Sequence, residues 1–399
     1  MSQRSKKIAV VVPRYGLVGG GEQFVYELTE RLAADGRFEC HVLANRWSAP
    51  SGKVVFHKMR RIGFPRFMSS WSFARSVDRC TAKYHFDLIH THERIFRADL
   101  FTMHSIPHPL WIRDVRKKRM SLYDRVLTRV ERRLIGDPSL RRILTVSSLA
   151  RDSLIDYFPR VSAPVDVVHP GIDVRRFEGY KREACRAEVR PRYGLGDDDT
   201  VILFAGMNFH IKGLDALMTA MAKVCQTLPK AGLKLLVVGK GNIRKYQTIA
   251  RELGISEHVR FAGVWEQEIE RVYLASDLFA MLSRFDTFGL VVLEAMAASL
   301  PVIISRTVGA RDLVVEGQNG FVVDRTDSAI VAERIEAMLN PLARNDMARN
   351  ARNTATSCSW EQVAKKTASV YETLLDQPVG MTPGRPSGMA SRNTGGIAP

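Results

Sequence analysis

The sequence contains no cysteine pair with the spacing of a redox or metal site. Its five cysteines, Cys40, Cys80, Cys185, Cys225 and Cys358, are odd in number and far apart, which argues against a disulfide framework or a cysteine-based zinc site. They are expected to be reduced residues of a cytoplasmic protein. Long hydrophobic runs are also missing. The longest, Leu290–Ile304, is broken by Glu294, Ser299 and Pro301, and falls short of the roughly 18–20 apolar residues that a spanning helix needs. The basic start is followed by an apolar run, Ile8–Val12, that ends at Pro13, too short for a signal-peptide core, so no export is expected. No repeat of fixed short period suggests a solenoid. Acidic residues are in deficit, 42 against 59 lysines and arginines, for a formal net charge of +17. A field of that sign attracts phosphates on a nucleotide, a nucleic acid or a membrane without choosing among them.

Hydrophobic residues make up 45% and charged residues 25%, the proportions of a folded protein, and 399 residues suit two α/β domains better than one. Short β-rich runs alternate with helical patterns, the signature of parallel sheets covered by helices. In the first half the expected strands are Ile8–Pro13, Cys40–Ala44, Val54–Lys58, Asp87–His92, Leu100–His104, Ile143–Ser147 and Val165–Pro170. In the second half they are Val201–Gly206, Lys234–Gly239, Val259–Gly263, Asp277–Leu282, Pro301–Ser305 and Gly320–Val323. The expected division is a first domain over 1–172, a connection over 173–198 with a helical piece inside it, and a second domain over 199–358. A closing helix over 359–375 then crosses back to the first domain, and a Gly-, Pro- and Ser-rich flexible tail covers 376–399.

Charge is densest over Trp111–Arg133, where nine basic residues interleave with apolar ones. Such a stretch can lie on an acidic interface or be the solvated face of an ordinary helix.

Two glycine-marked places have the chemistry of anion sites. Gly19-Gly20-Gly21-Glu22 follows the first strand and opens a helix, where glycines let a ligand approach the backbone and free N–H groups favour negative charge. The spacing is not that of a dinucleotide fingerprint, and a surface turn is the alternative. In Arg284–Ala297 a strand gives way to a loop and then to a helix starting near Phe288 or Gly289, so the amides of Phe288, Gly289, Leu290 and Val291 converge where a pyrophosphate can sit. Glu294 lies one turn into that apolar helix and needs a donor, either ligand hydroxyls or a protein group. His104, at a strand end, is a further candidate, with a structural histidine as its alternative. His90 and His92 have the look of a metal pair, but alternate strand residues need a third ligand nearby, and no metal site is assigned.

The run FDTFGLVVLEAMAASLPVII, with Asp286 and Glu294 at its two acidic positions, resembles the family-four retaining glycosyltransferases of the GT-B fold. The family usually has glutamate at the first position, so Asp286 keeps the charge with a shorter reach. Val168–Asp173 followed by Phe177 resembles the motif ending the first domain, and Leu203–Gly206 followed by Lys212-Gly213 resembles the donor-phosphate loop. Met207 and Ile211 stand where members carry an arginine, leaving Lys212, with His210 as its one possible helper. Leu236–Gly239 and Val259–Gly263 resemble the strands flanking the base, with Val264 next to them. His108 and Trp111 are similar to positions in lipopolysaccharide-core glucosyltransferases.

The resemblance, over roughly Ile8 to Leu374, implies an α/β GT-B architecture: two Rossmann-like domains facing across a cleft. It implies transfer of a hexose with retention from a nucleotide-sugar, a UDP-sugar favoured, to a glycan or lipid-linked acceptor. His104 and Asp286 are the implied catalytic residues. The implied donor-binding set is Gly20, Gly21, Gly206, Lys212, Val264, Phe288, Gly289, Leu290, Val291 and Glu294. The nucleotide-sugar is a co-substrate and no cofactor or essential metal is expected. The expected location is the cytoplasm, with peripheral contact to the inner face of an anionic membrane. Alternatives are a nucleotide-sugar epimerase or phosphorylase on this fold and, more remotely, a basic nucleic-acid-binding protein, for which no motif is visible.

Overall fold

In a computed structural model of the chain, described over residues 5–17, 19–48 and 51–376, the thirteen expected strands form two separate sheets. The flexible-tail expectation falls on 377–399, outside the described residues. In the first sheet the order is Val55–Lys58, Phe38–Ala44, Lys6–Val11, Leu88–Thr91, Leu100–Met103, Arg142–Thr145, Val165–Val167. The second runs Val259–Gly263, Leu233–Lys240, Thr200–Met207, Leu278–Met281, Val302–Ser305, Gly320–Val323. All the pairings in both are parallel.

Each sheet starts in its middle, grows to one side, then returns and grows to the other, the doubly wound order of a Rossmann-like domain. Helices cover both faces, so central strands such as Leu278–Met281 and Val302–Ser305 are buried throughout and read as unbroken apolar runs. Growth reverses between Lys6–Val11 and Leu88–Thr91 in one sheet, and between Thr200–Met207 and Leu278–Met281 in the other. A crevice opens at the carboxyl ends of the strands on either side of such a reversal, because the two crossovers leave in opposite directions. Each glycine-marked loop follows one of those strands.

Several strands stop earlier than the sequence suggests. Val165–Val167 was expected to continue to Pro170 and Leu100–Met103 to His104, but those residues leave the ladder and enter the loops at the cleft. A two-residue parallel pair, Arg14–Tyr15 with Arg46–Trp47, extends the first domain beyond its main sheet. The expected connection over 173–198 is not a free linker. Its helix Arg182–Arg192 packs along Ile269–Ala275 of the second domain, and the fully buried Arg190 bonds Asp277 at 2.8 Å and the Ala275 carbonyl at 3.0 Å. Helix Trp360–Asp376 packs on helix Gly20–Ala34 of the first domain. Trp360 meets Phe24 edge-on at 5.5 Å, and Tyr371 donates to or accepts from His90 at 2.7 Å. The basic stretch 111–133 is not one helix. Trp111–Val115 forms a wide turn, a loop follows, and Ser121 with Asp124 caps a new helix, Leu122–Ile135.

Candidate active site

The single helical turn Phe209–Lys212, in the loop after strand Thr200–Met207, is shaped by glycine. Gly213 has φ +77°, and a Cβ there would lie 1.8 Å from the Leu282 carbonyl oxygen. That fit presses the loop against the end of Leu278–Met281, and Arg284 donates its backbone amide to the Ile211 carbonyl at 2.7 Å. A Cβ on Gly206 would come 3.0 Å from Lys212 Cγ, so the lysine stem lies directly over that glycine. Its ammonium group reaches Asp286 and forms an ion pair with it.

Gly289, at φ +89°, ends the loop that follows and precedes helix Leu290–Ala297. The first bond of that turn is Val292 N–H to the Gly289 carbonyl at 2.9 Å. The amides of Phe288, Gly289, Leu290 and Val291 come before it and donate to no group among the described residues, as expected for a helix start. From the first domain Gly20 approaches closely: a Cβ on it would lie 3.2 Å from the Leu290 side chain. Gly21 lies against His104 in the same way, at 3.6 Å.

One cleft of about 310 Å³ is lined by Gly20, Gly21 and His104 from the first domain and by Lys212, Asp286 and Phe288–Val291 from the second. The structure thus brings together nine of the twelve candidate residues and adds Gly206 directly beneath Lys212. Val264 is half exposed and lies outside this lining. His210 is exposed and also outside it. Glu294 is not in the lining either. Its carboxylate accepts from the buried Tyr273 hydroxyl at 2.9 Å and lies 3.6 Å from Arg176, so protein groups already satisfy it.

His104 is held from behind. Its Nε2 lies 2.9 Å from His92 Nδ1, while His92 Nε2 is buried without a partner. A buried unpaired N–H costs more than a buried unpaired lone pair, which favours the tautomers in which His92 Nδ1–H donates and His104 carries its own proton on Nδ1. Burial lowers the His104 pKa to about 4 and the His90 pKa to about 3, so both rings are neutral near pH 7. His90 is engaged by Tyr371 and by Thr102, each at 2.7 Å. Among the described residues no group of three or more His, Cys, Asp or Glu side chains is placed to hold a metal ion.

The sign of the pH effect follows. Unfolded histidines titrate near 6.5, so below that pH the unfolded chain binds more protons than the native one, and stability falls as pH drops from 6.5 towards 4. The melting temperature is expected to decline over that range, and less steeply in His92→Asn. A flat profile in the parent chain would contradict the buried neutral histidines.

Sequence reasoning missed several residues here. His92 was visible only as a metal candidate. The clamp joining the domains was not visible at all: Asp312 accepts from Ser148 N–H at 2.6 Å and meets His169 at 3.0 Å, and the Ser147 hydroxyl donates to the Thr287 carbonyl at 2.6 Å.

Two Rossmann-like domains with an anion-suited cleft between them form the GT-B arrangement. The family models agree. "Glycosyltransferase Family 4" matches residues 18–176 and "Glycosyl transferases group 1" matches 186–354, and the chain belongs to this glycosyltransferase type. A D-inositol 3-phosphate glycosyltransferase of Nocardioides sp. is 27% identical over 405 residues, covering 90% of this chain and 86% of that protein. The chain spans only 60% and 53% of the first two curated relatives it matches. Among solved structures, WaaG, a glycosyltransferase involved in lipopolysaccharide biosynthesis, shares the fold with a TM-score of 0.72 at 19% identity, over 91% of this chain and 99% of that one. Anabaena HepE in complex with UDP-glucose shares it with a TM-score of 0.69 at 18% identity, over 92% and 99%.

Proposed function

We propose that the chain transfers a hexose from a nucleotide-sugar, with UDP as the favoured nucleotide, to a hydroxyl of a glycan or lipid-linked acceptor, with retention at the anomeric carbon. The observation that carries this reading is the convergence of Lys212, Asp286, the free amides of Phe288–Val291 and His104 on one cleft. As the anomeric carbon–oxygen bond breaks, charge grows on the leaving diphosphate, and the ammonium group and amides stabilise it there. The acceptor oxygen bonds to the anomeric carbon and its proton passes to the departing phosphate, so no metal or cofactor is needed. Asp286 positions the sugar, His104 donates its Nδ1–H to a sugar hydroxyl, and Glu294 takes the ribose. The HepE structure, which contains UDP-glucose, supports the choice of nucleotide.

Location at an anionic membrane and a lipopolysaccharide-type acceptor belong to the same reading. Their support is a cavity of about 690 Å³ bordered by Trp111, Tyr123, Arg66, Arg116, Lys118 and Arg119. None of these four cations has an acidic partner among the described residues, and Phe64 and Leu122, 89% and 58% exposed, lie beside them in the chain. No helix among the described residues is long and apolar enough to cross a membrane.

The direct test is incubation with UDP-hexoses and chelator. Release of UDP with an α-linked product from an α-linked donor, undiminished by the chelator, is expected. A free sugar phosphate or an epimerised nucleotide-sugar would place the chain among epimerases or phosphorylases instead.

A further inference from the structure

One carboxylate of the second domain collects donors from two segments of the first. Asp312, in the turn Gly309–Leu313, accepts from the Ser148 backbone amide at 2.6 Å and from the Ser148 hydroxyl, and lies 3.0 Å from His169 Nε2. Ser148 is the first residue of helix Ser148–Tyr157, so an acid of one domain caps the start of a helix in the other. Burial pushes the Asp312 pKa up, but the His169 and Ser148 hydrogen bonds outweigh it and hold the carboxyl below its ordinary range. The group is therefore charged near neutral pH, and hydrogen bonds to a charged acceptor are the strong ones.

The same turn is tied to the donor loop. Gly309 donates its amide to the Asp286 carbonyl at 3.0 Å, Ala310 to the Phe288 carbonyl at 2.7 Å, and Asp286 to the Thr307 carbonyl at 3.0 Å. Gly309 leaves no room for a side chain: a Cβ there would lie 2.0 Å from the Thr287 carbonyl oxygen and 2.6 Å from the Ser147 hydroxyl oxygen. Segment Thr307–Asp312 thus holds the donor loop on one side and the first domain on the other. Val146 and Pro170, the chain neighbours of Ser147 and His169, line the donor cleft together with Thr287, while Asp312 itself stays out of that lining.

We propose that Asp312 is a positioning residue for the transfer: it latches the donor loop to the first domain and so sets where Lys212 and the Phe288–Val291 amides stand relative to His104. The inference rests on glycosyl transfer in this cleft. Lys212, Asp286 and the amides all belong to the second domain, where backbone bonds fix them without the latch. His104 belongs to the first domain and meets the same sugar only while the two domains stay in register. Loss of Asp312 therefore separates donor binding from turnover.

The test is Asp312→Ala in the full chain, with UDP affinity read by calorimetry, turnover of a UDP-hexose, and amide exchange at Ser148. The expected results are a UDP affinity within twofold of the parent's, a kcat lowered at least tenfold, and exchange at Ser148 at least tenfold faster. Asp312→Asn should recover most of the kcat, because its carbonyl oxygen accepts from the Ser148 amide and His169 while its amide nitrogen donates to the Ser148 hydroxyl oxygen. Ser148→Ala should lower kcat about threefold in the parent and leave it unaltered in Asp312→Ala, the non-additivity of two groups in contact. A parental kcat in Asp312→Ala overturns the proposal, as does a UDP affinity that falls in step with kcat, or Ser148 exchange that is equal in the two chains. Should Asp312→Ala fail to fold, a parental kcat in Ser148→Ala overturns it just as well. A parent chain that turns over no UDP-hexose defeats the transfer reading instead, and exchange at Ser148 then decides the latch alone.

Discussion

Lys212→Ala is expected to lower turnover of the nucleotide-sugar by about a hundredfold to a thousandfold, the effect of removing one well-placed donor to developing negative charge, with the melting temperature little changed. Among the described residues, Lys212 is the only side-chain cation on the lining of the donor cleft. Its ion pair with Asp286 makes the substitution doubly costly, because the carboxylate is left uncompensated next to the place where a diphosphate docks. Donor binding should therefore be weaker in Lys212→Ala than in Lys212→Ala with Asp286→Asn. That non-additive cycle is the expected signature of two groups in contact, and strict additivity would mean that the pair does not act as a unit.

Glu294→Ala is expected to weaken donor binding by about 1.5–3 kcal/mol, the worth of a charge-assisted contact. Its other consequence comes from the Tyr273 and Arg176 contacts. Without the carboxylate, the buried Tyr273 hydroxyl loses its partner, at a cost of about 1–3 kcal/mol in stability, while Arg176 keeps its hydrogen bond to Glu270 at 2.8 Å. Tyr273→Phe separates the two effects. It removes the hydrogen bond but leaves the carboxylate, so it should lower stability by about 1 kcal/mol and donor affinity hardly at all. Glu294→Gln keeps an acceptor for Tyr273 and should fall between. Unchanged donor affinity in Glu294→Ala would reduce this residue to a structural acid, a role its present contacts already permit.

The difference between Glu294 and Lys212 shows which parts of the site were legible in the sequence. Lys212, Asp286 and Phe288–Val291 lie in or at the edges of two loops that lead into helices, each beginning where an apolar run ends and glycine follows. Strand, turn and helix start are local features, and buried parallel strands such as Val302–Ser305 write themselves as continuous apolar runs. What brings the two loops together is the reversal of strand order, and that too follows once the strands are placed. The partners of Glu294 are different. Tyr273 is 21 residues away on another helix, and Arg176 lies in the segment read as a connection. No local pattern reports such contacts. His92 is intermediate: its proximity to His90 was plain, but its engagement with His104 depends on two neighbouring strands ending in register. The strands expected to run on to Pro170 and His104 err for a related reason. Residues leaving the ladder at its carboxyl end stay apolar or aromatic because they line the cleft or the interface, so composition alone extends the strand too far.

The central claim is that the free amides at the start of helix Leu290–Ala297 grip the donor's diphosphate. Amide hydrogen exchange over Thr287–Val292, measured with and without saturating UDP, addresses it most directly. The expected result is strong slowing at Phe288–Val291 that is largely lost with UMP, which has no second phosphate. Saturated UDP binding that leaves exchange at these amides unaltered would contradict the account.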